Sequence, residues 1–406
     1  MKKILALLLS AMMVVSLAAC GGSAPASSDA PAPDAPAGDA PAGDAAGIAA
    51  DAIKVGVIHI GDPADGSGYS FAHDQGIVGM QTALGLSDEQ IVRQLNINDS
   101  DTSAIRTAIE DCIAQGCNIV FGTSYGYMET MAAMAEEYPE VYFSHGTGYM
   151  SNETNFNNYF GRIYQARYLA GIAAGLKTAS GKIGYVSAYG TELAETCSGI
   201  NAFALGAQSV NPDAVVYVKE LASWYDPANE TAFAEALIEM QCDVIAQHCD
   251  TANPQIAAEK AGVFGCGYNS DMTPEAPAAH LTAPIWHWDV YYTDAVQAVI
   301  DGKWADFGNY YGGIKDKFVD ISPLSENCAE NTAEYIDQVK ALFDAGEWDV
   351  FSGVKLSFGE DGAVVKTDAD LVDNAGNVVV AAGGPSVEDS VITGTMNYFV
   401  AGVEQN

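Results

Sequence analysis

The sequence predicts an α/β protein built as two doubly wound parallel-sheet lobes that face each other across a ligand cleft. Three observations carry this. Short, nearly continuous apolar runs alternate with helical stretches from about residue 51 to residue 406, the order that yields a parallel sheet covered on both faces. One unit occurs twice. "AIEDCIAQGCNIVFGTSYG" at 108–126 is echoed by "ALIEMQCDVIAQHCD" at 236–250, each reading amphipathic helix, polar turn, apolar strand, polar strand end, and a copy in each half of the chain implies two similar lobes. The composition, 49% hydrophobic and 17% charged over 406 residues, supplies enough apolar surface for two cores.

The strands are expected in order. "IKVGVIHIGD" (53–62), "NIVFGTSYG" (118–126), "VYFSHGTG" (141–148) and "KIGYVSAYG" (182–190) come first. "AVVYVKELASWYD" (214–226), "DVIAQHCD" (243–250), "VFGCGYNSD" (263–271) and "AHLTAPIWHW" (279–288) follow. Their β-branched, unbroken character fits buried parallel strands. Between them 102–115, 128–137, 164–178, 231–240 and 255–261 read as helices. The chain is expected to pass between lobes near Phe160 and near 283–289. Lobe 1 then takes 51–159 plus about 289–322, lobe 2 takes 160–285 plus about 323–360, and 361–406 is a β-like extension and C-terminal helix.

Ligands of open α/β sheets bind outside the carboxyl ends of the strands. The residues at those ends are Gly68-Tyr69-Ser70-Phe71, Ser124-Tyr125, His145, Trp224-Tyr225-Asp226, His248, Asp250, Tyr268-Asn269, Asp271 and Trp286-His287-Trp288. The set is rich in rings, carboxylates and amides and has no Lys or Arg. A phosphate or an amino-acid carboxylate usually needs a cation. The implied ligand is planar, neutral or mildly basic, and rich in hydrogen-bond donors.

Two patterns in this set suggest other chemistry. His248, Cys249 and Asp250 are adjacent, but strand side chains alternate between faces, so Cys249 points away from the other two and a shared metal is not expected. Asp250 then either clamps a ligand or merely meets water. "GTSYG" at 122–126 matches G-x-S-x-G between a strand and a helix, with Asp250 and His287 later in the chain in the order a Ser124 esterase needs. The alternative is that small residues let the backbone approach a ligand.

Net charge is −36, and more negative once Lys2 and Lys3 leave with a signal segment, which argues against nucleic acid and anionic lipid as partners. After Cys20, seven cysteines remain (112, 117, 197, 242, 249, 266 and 328) with no CxxC pair. Neither a disulfide framework nor a zinc knuckle is expected, and no cofactor is implied. "MKKILALLLSAMMVVSLAAC" has a positive start and an apolar Ile4–Leu17 run too short for a permanent span. Its Leu17-Ala18-Ala19-Cys20 end resembles a bacterial lipobox. Residues 1–19 are therefore read as a lipoprotein signal peptide and Cys20 as the lipidated residue. Residues 20–50, which after Cys20 are Ala, Pro, Gly, Asp and Ser with Ile48 the one large apolar side chain, are read as a disordered acidic tether holding a domain outside the cell membrane.

The lipobox, "GYSFAHDQG" (68–76), "QGCNIVFGTSYGYM" (115–128), "YFGRIYQARYLAGIAAG" (159–175), "KIGYVSA" (182–188), "GINAFALGAQSVNPDA" (199–214), "WYDPANE" (224–230), "DVIAQHCD" and "GYNSDM" (267–272) together resemble the basic membrane protein family of ABC-transporter substrate-binding lipoproteins. The resemblance implies a type I periplasmic-binding fold, whose two lobes joined by three crossing segments close over a ligand. It also implies a permease and an ATPase as partners. The family's ligands are mostly purine nucleosides and nucleobases. Gly68-Tyr69-Ser70-Phe71-Ala72-His73-Asp74 is similar to a branch with Gly-Trp-Thr-Tyr-Ala-His-Asp, associated with bases such as adenine. By that likeness Tyr69 and Trp224 stack on the ring from opposite lobes, while Asn269, Asp250 and Asp271 pair with its edge and Ser70, Ser124 and Tyr125 line the site. Asp271 has a second reading as the cap of the turn at Thr273-Pro274, and Trp286 and Trp288 as packing at a crossing segment. "MNYFVAGV" (396–403) resembles the family's C-terminal helix. A sugar-binding protein of the same fold, a sensing lipoprotein without a permease, and the Ser124 esterase are the other readings.

Overall fold

In the computed structural model, residues 47–405 are described. The signal peptide, Cys20 and most of the tether lie outside them. The last tether residues are not free. Ile48 packs against the core, and its N–H reaches the carbonyl of Val299 at 3.4 Å.

The first half of the folded chain alternates strand and helix: β1 (Val55–Ile58), α1 (Gly68–Leu84), β2 (Ile91–Gln94), α2 (Thr102–Ala114), β3 (Ile119–Gly122), α3 (Met128–Glu137), β4 (Tyr142–Gly146) and β5 (Phe156–Gly161). The second half repeats the scheme with α4 (Ile163–Lys177), β6 (Lys182–Ser187), α5 (Ala194–Val210), β7 (Val215–Glu220), α6 (Pro227–Glu239), β8 (Val244–His248), α7 (Asn253–Ala261), β9 (Phe264–Cys266) and β10 (His280–Thr282). Then come β11 (Pro284–Trp286), α8 (Trp288–Ile300), α9 (Trp304–Phe307), β12 (Tyr310–Gly312), β13 (Val319–Ile321) and α10 (Thr332–Ala345). A tail of β14 (Val354–Phe358), β15 (Val364–Asp368), β16 (Leu371–Val372), β17 (Val378–Val380), α11 (Asp389–Gly394) and β18 (Val403–Gln405) closes the chain.

Two parallel six-stranded sheets result, ordered β12-β5-β4-β3-β1-β2 and β10-β9-β8-β6-β7-β18. Their five-strand cores have the same order, which is the structural form of the repeat seen at 108–126 and 236–250. The sixth strand of each sheet is added late. β12 returns to pair with β5, and β18 pairs with β7. The chain passes from the first sheet to the second after β5, returns through α8 to β12, and crosses again beyond the antiparallel β11–β13 pair.

α4 is apolar nearly all round and buried along most of its length, as a helix sheathed by its own domain must be. It packs closely on α5 through glycines. A Cβ on Gly206 would collide with the carbonyl of Tyr168, and one on Gly171 with the carbonyl of Phe203. Gly206→Ala is therefore expected to lose about 1–3 kcal/mol of stability by overpacking, despite alanine's better helix propensity. A lowered urea midpoint with an unchanged slope checks this.

Trp286 and Trp288 resolve as crossing-segment packing. Their rings stack at 4.5 Å, and Trp288 stacks in turn on His73 at 4.0 Å. The C-terminal helix expected at 396–403 does not form. The Asn201 side chain of α5 donates to the Tyr398 carbonyl at 2.8 Å and accepts from the Val400 N–H at 2.9 Å. Those backbone groups are spent on tertiary bonds, and Gly402 at φ 86° turns the chain into β18.

Candidate functional site

The loop after β1 meets the loops after β8 and β9. Gly68, at φ 82°, opens α1 and donates its N–H to Ser270 Oγ at 3.3 Å. A Cβ there would strike the carbonyl of Asp250, so only glycine lets the two halves approach this closely.

On the first-sheet side, the Tyr69 hydroxyl donates to the carbonyl of Thr123 and its ring lies edge-on to His73 at 4.4 Å. Burial pushes its phenol well above the usual range, with Tyr159, Glu195, Tyr268 and Asp250 adding to the effect. Ser70 is occupied locally, its Oγ accepting from Gly61 N–H at 3.0 Å. Ser124 Oγ donates to Asp99 Oδ2 at 2.7 Å, while His145 Nε2 meets the Ser124 carbonyl oxygen at 2.7 Å. No histidine contacts the Ser124 hydroxyl among the described residues, which removes the geometric basis of the esterase reading. Tyr125 stands at the rim, more than half exposed.

On the second-sheet side, Trp224 is half-buried. Its carbonyl accepts from Asp250 N–H at 2.9 Å, and its ring meets Tyr189 and His248 only edge-on. Among the described residues no ring stacks on its face. Asn269 adopts φ 67° and donates Nδ2 to Asp250 Oδ1 at 3.2 Å, leaving its own Oδ1 buried and unpartnered. Cys249 belongs to the cluster under α6 and α7, on the face opposite His248 and Asp250. Asp271 lies outside the group: its Oδ1 accepts from the Thr273 N–H at 3.0 Å and hydroxyl at 2.6 Å, capping the turn.

Two residues beside these groups were not foreseen. Glu195, at the start of α5, faces His248 Nε2 at 3.7 Å. Arg167 of α4 is buried beneath, its guanidinium 3.9 Å from the Tyr268 ring centroid and Nη1 donating to the Gln247 carbonyl at 2.6 Å. The signals existed. β6 is the counterpart of β1, so the loop after β6 holds the place of Gly68-Tyr69, and Arg167 is a charge inside an apolar helix whose other charge, Lys177, is its last residue.

The carboxyl groups here are hard to ionise. Burial, then Glu230 and Glu195, push Asp250 up to about 8, against the pull of Asn269. Burial pushes Glu195 up to about 7, against the pull of Arg167 and Tyr268. Both side chains are half-buried. Burial, then Arg167, hold His248 neutral, well below its usual range. A carboxyl raised in the folded state binds protons that the unfolded chain releases near pH 4. The contribution is intact below that pH and lost as pH rises through about 7–8. Asp250→Asn, which cannot ionise, is expected to flatten the decline of the unliganded protein between pH 5 and 8.5, read as urea midpoints against wild type. Equal slopes for the two would contradict the assignment.

Residues 53–344 match the family model described as ABC transporter substrate-binding protein, PnrA-like. The chain belongs to the Bmp family of ABC-transporter substrate-binding proteins. A purine-binding protein of Brucella abortus (strain 2308) is 34% identical over 88% of this chain and 94% of its own. A putative ABC-transporter glucose-binding protein of Haloferax volcanii is 33% identical over 75% of each chain. Among solved structures, a solute-binding protein of an ABC transporter system from Conexibacter woesei DSM 14684 superposes with TM-score 0.61 at 18% identity, covering 73% of this chain and 98% of that one. One from Aeropyrum pernix K1 gives 0.60 at 16%, covering 76% and 94%. These likenesses show the periplasmic-binding fold. As a Bmp protein the chain is a binding component and not an enzyme. It acts on the extracytoplasmic side with a permease and an ATPase.

Proposed function

We propose that this Bmp protein captures a purine nucleobase or nucleoside, with an adenine-like base favoured, and delivers it to its permease while anchored to the cell membrane through lipid on Cys20. The carrying observation is the Asp250–Asn269 pair, a half-buried carboxyl and a buried amide whose acceptor, Asn269 Oδ1, has no protein partner. A purine edge brings an exocyclic amine to such an acceptor, and a buried acceptor left unpaired is costly. Tyr69 and Trp224 supply ring faces from the two halves, Tyr268 adds a third ring, and Ser124 and Tyr125 close the rim. Ser70 and Asp271 support the loops that carry these groups. The resemblance to the Brucella purine-binding protein over 94% of its length points the same way.

A sugar is the second reading, favoured by the Haloferax relative, because sugars also stack on tryptophan and pair with Asp and Asn. A thermal-shift screen of adenine, guanine, their nucleosides and monosaccharides separates the two. A rise with purines alone supports the proposal, and a rise with glucose alone overturns it.

The anchor has its own test, motivated by the sequence Leu17-Ala18-Ala19-Cys20 before a tether. Wild-type protein is expected in the membrane fraction of its host with a lipid-modified N-terminus, and Cys20→Ala is expected without lipid. Equal solubility and equal lack of lipid in both would end the lipoprotein reading.

A further inference from the structure

α2 ends in a turn closed by Gly116, at φ 86°. Gly116 N–H donates to the Ile113 carbonyl at 2.8 Å, and Cys117 N–H to the Cys112 carbonyl at 3.0 Å. This pair of bonds is a Schellman turn, which brings the residue just past the cap against one in the last helical turn. That contact usually joins two hydrocarbon side chains. Here it joins Cys112 and Cys117.

Both are free thiols buried in the cluster between the first sheet, α2 and α3. Each is the strongest influence on the other's acidity: Cys112 is pushed far up and Cys117 is pulled down, with the Lys54 ammonium also favouring the Cys117 thiolate. Lys54 Nζ sits over the turn, donating to the Gln115 carbonyl at 3.2 Å. The backbone is already bent to hold the two thiols together, and the Lys54 ammonium over the turn favours a thiolate at Cys117.

We propose that Cys112 and Cys117 form a redox pair that closes to a disulfide across the C-terminal turn of α2 when the protein meets an oxidising exterior. The oxidant is a small disulfide such as oxidised glutathione. The Cys117 thiolate attacks one of its sulfurs and expels a thiolate. Cys112 gives its proton to that thiolate, attacks the Cys117 sulfur and expels the second. Two protein thiols and one small disulfide become one protein disulfide and two small thiols, and two electrons pass to the oxidant. The staple ties α2 to the start of β3, the strand that carries Thr123 and Ser124 to the cleft.

Trypsin isolates the pair, since no Lys or Arg lies between Arg106 and Arg162 and no other cysteine falls in that peptide. The protein is equilibrated in glutathione buffers of rising oxidation, both from the native state and by refolding, then blocked with N-ethylmaleimide in denaturant. The expected peptide has lost two hydrogens and carries no maleimide. In Cys117→Ser the same peptide is expected to carry one. Oxidised wild type is expected to melt roughly 2–4 °C above the reduced form, a shift absent in Cys112→Ser. Two maleimides on the wild-type peptide after both routes, or a bridge from it to a different peptide, would overturn the pair.

Discussion

Trp224→Ala is expected to weaken ligand binding by about 30- to 1000-fold, a loss of roughly 2–4 kcal/mol. The Trp224 ring is half-buried against the core, and its aromatic neighbours Tyr189 and His248 are inclined at 70° and 64°, so among the described residues no ring lies parallel to it where a planar ligand would stack. Stacking contributes on the order of 1 kcal/mol beyond the burial of apolar area, and truncation removes both. All purines are expected to suffer alike, because a ring face does not read edge groups. The fold should be untouched, since the side chain is half-buried and its backbone carbonyl, which holds Asp250 N–H, is unchanged. Titration calorimetry of wild type and variant checks this.

Asp250→Ala is expected to cost a similar roughly 2–4 kcal/mol but with a different pattern. It removes the carboxyl that would pair with the ligand edge and frees Asn269 Nδ2 from its anchor at 3.2 Å. Two edge contacts fail together. Asn269→Ala should lose about 1–3 kcal/mol. Either variant is expected to change the ranking among adenine, guanine and their nucleosides, where Trp224→Ala lowers all of them. A competition series against one labelled purine measures the ranking directly.

The fold was legible because its strands are apolar and its halves repeat. The echo between 108–126 and 236–250 anticipated the shared order of the two sheets. The cleft followed from taking the ends of those strands, which placed Tyr69, Trp224, Asp250 and Asn269. What escaped notice has physical causes. β5 carries Asn157 and Asn158 and does not read as a core strand, yet Asn157 Nδ2 finds the Gly308 carbonyl at 2.6 Å and the Tyr291 hydroxyl donates to its Oδ1 at 3.2 Å. α5 is rich in small residues and buried on nearly every side, so no amphipathic stripe marks it. Glu195 went unseen with it. Arg167 acts from α4, beneath the strands, rather than from a strand end. At the tail 396–403 the helix was expected from the family resemblance alone, and Asn201, remote in the chain, claims its backbone.

The central claim is that the cleft between the two sheets holds a purine against Trp224. Titration calorimetry of the purified protein with adenine, guanine, adenosine, guanosine and glucose, repeated on Trp224→Ala, tests it most directly. The account predicts low-micromolar or tighter binding of a purine base or nucleoside that collapses in the variant. Tight glucose binding without purine binding, or purine affinity that survives Trp224→Ala, would contradict it.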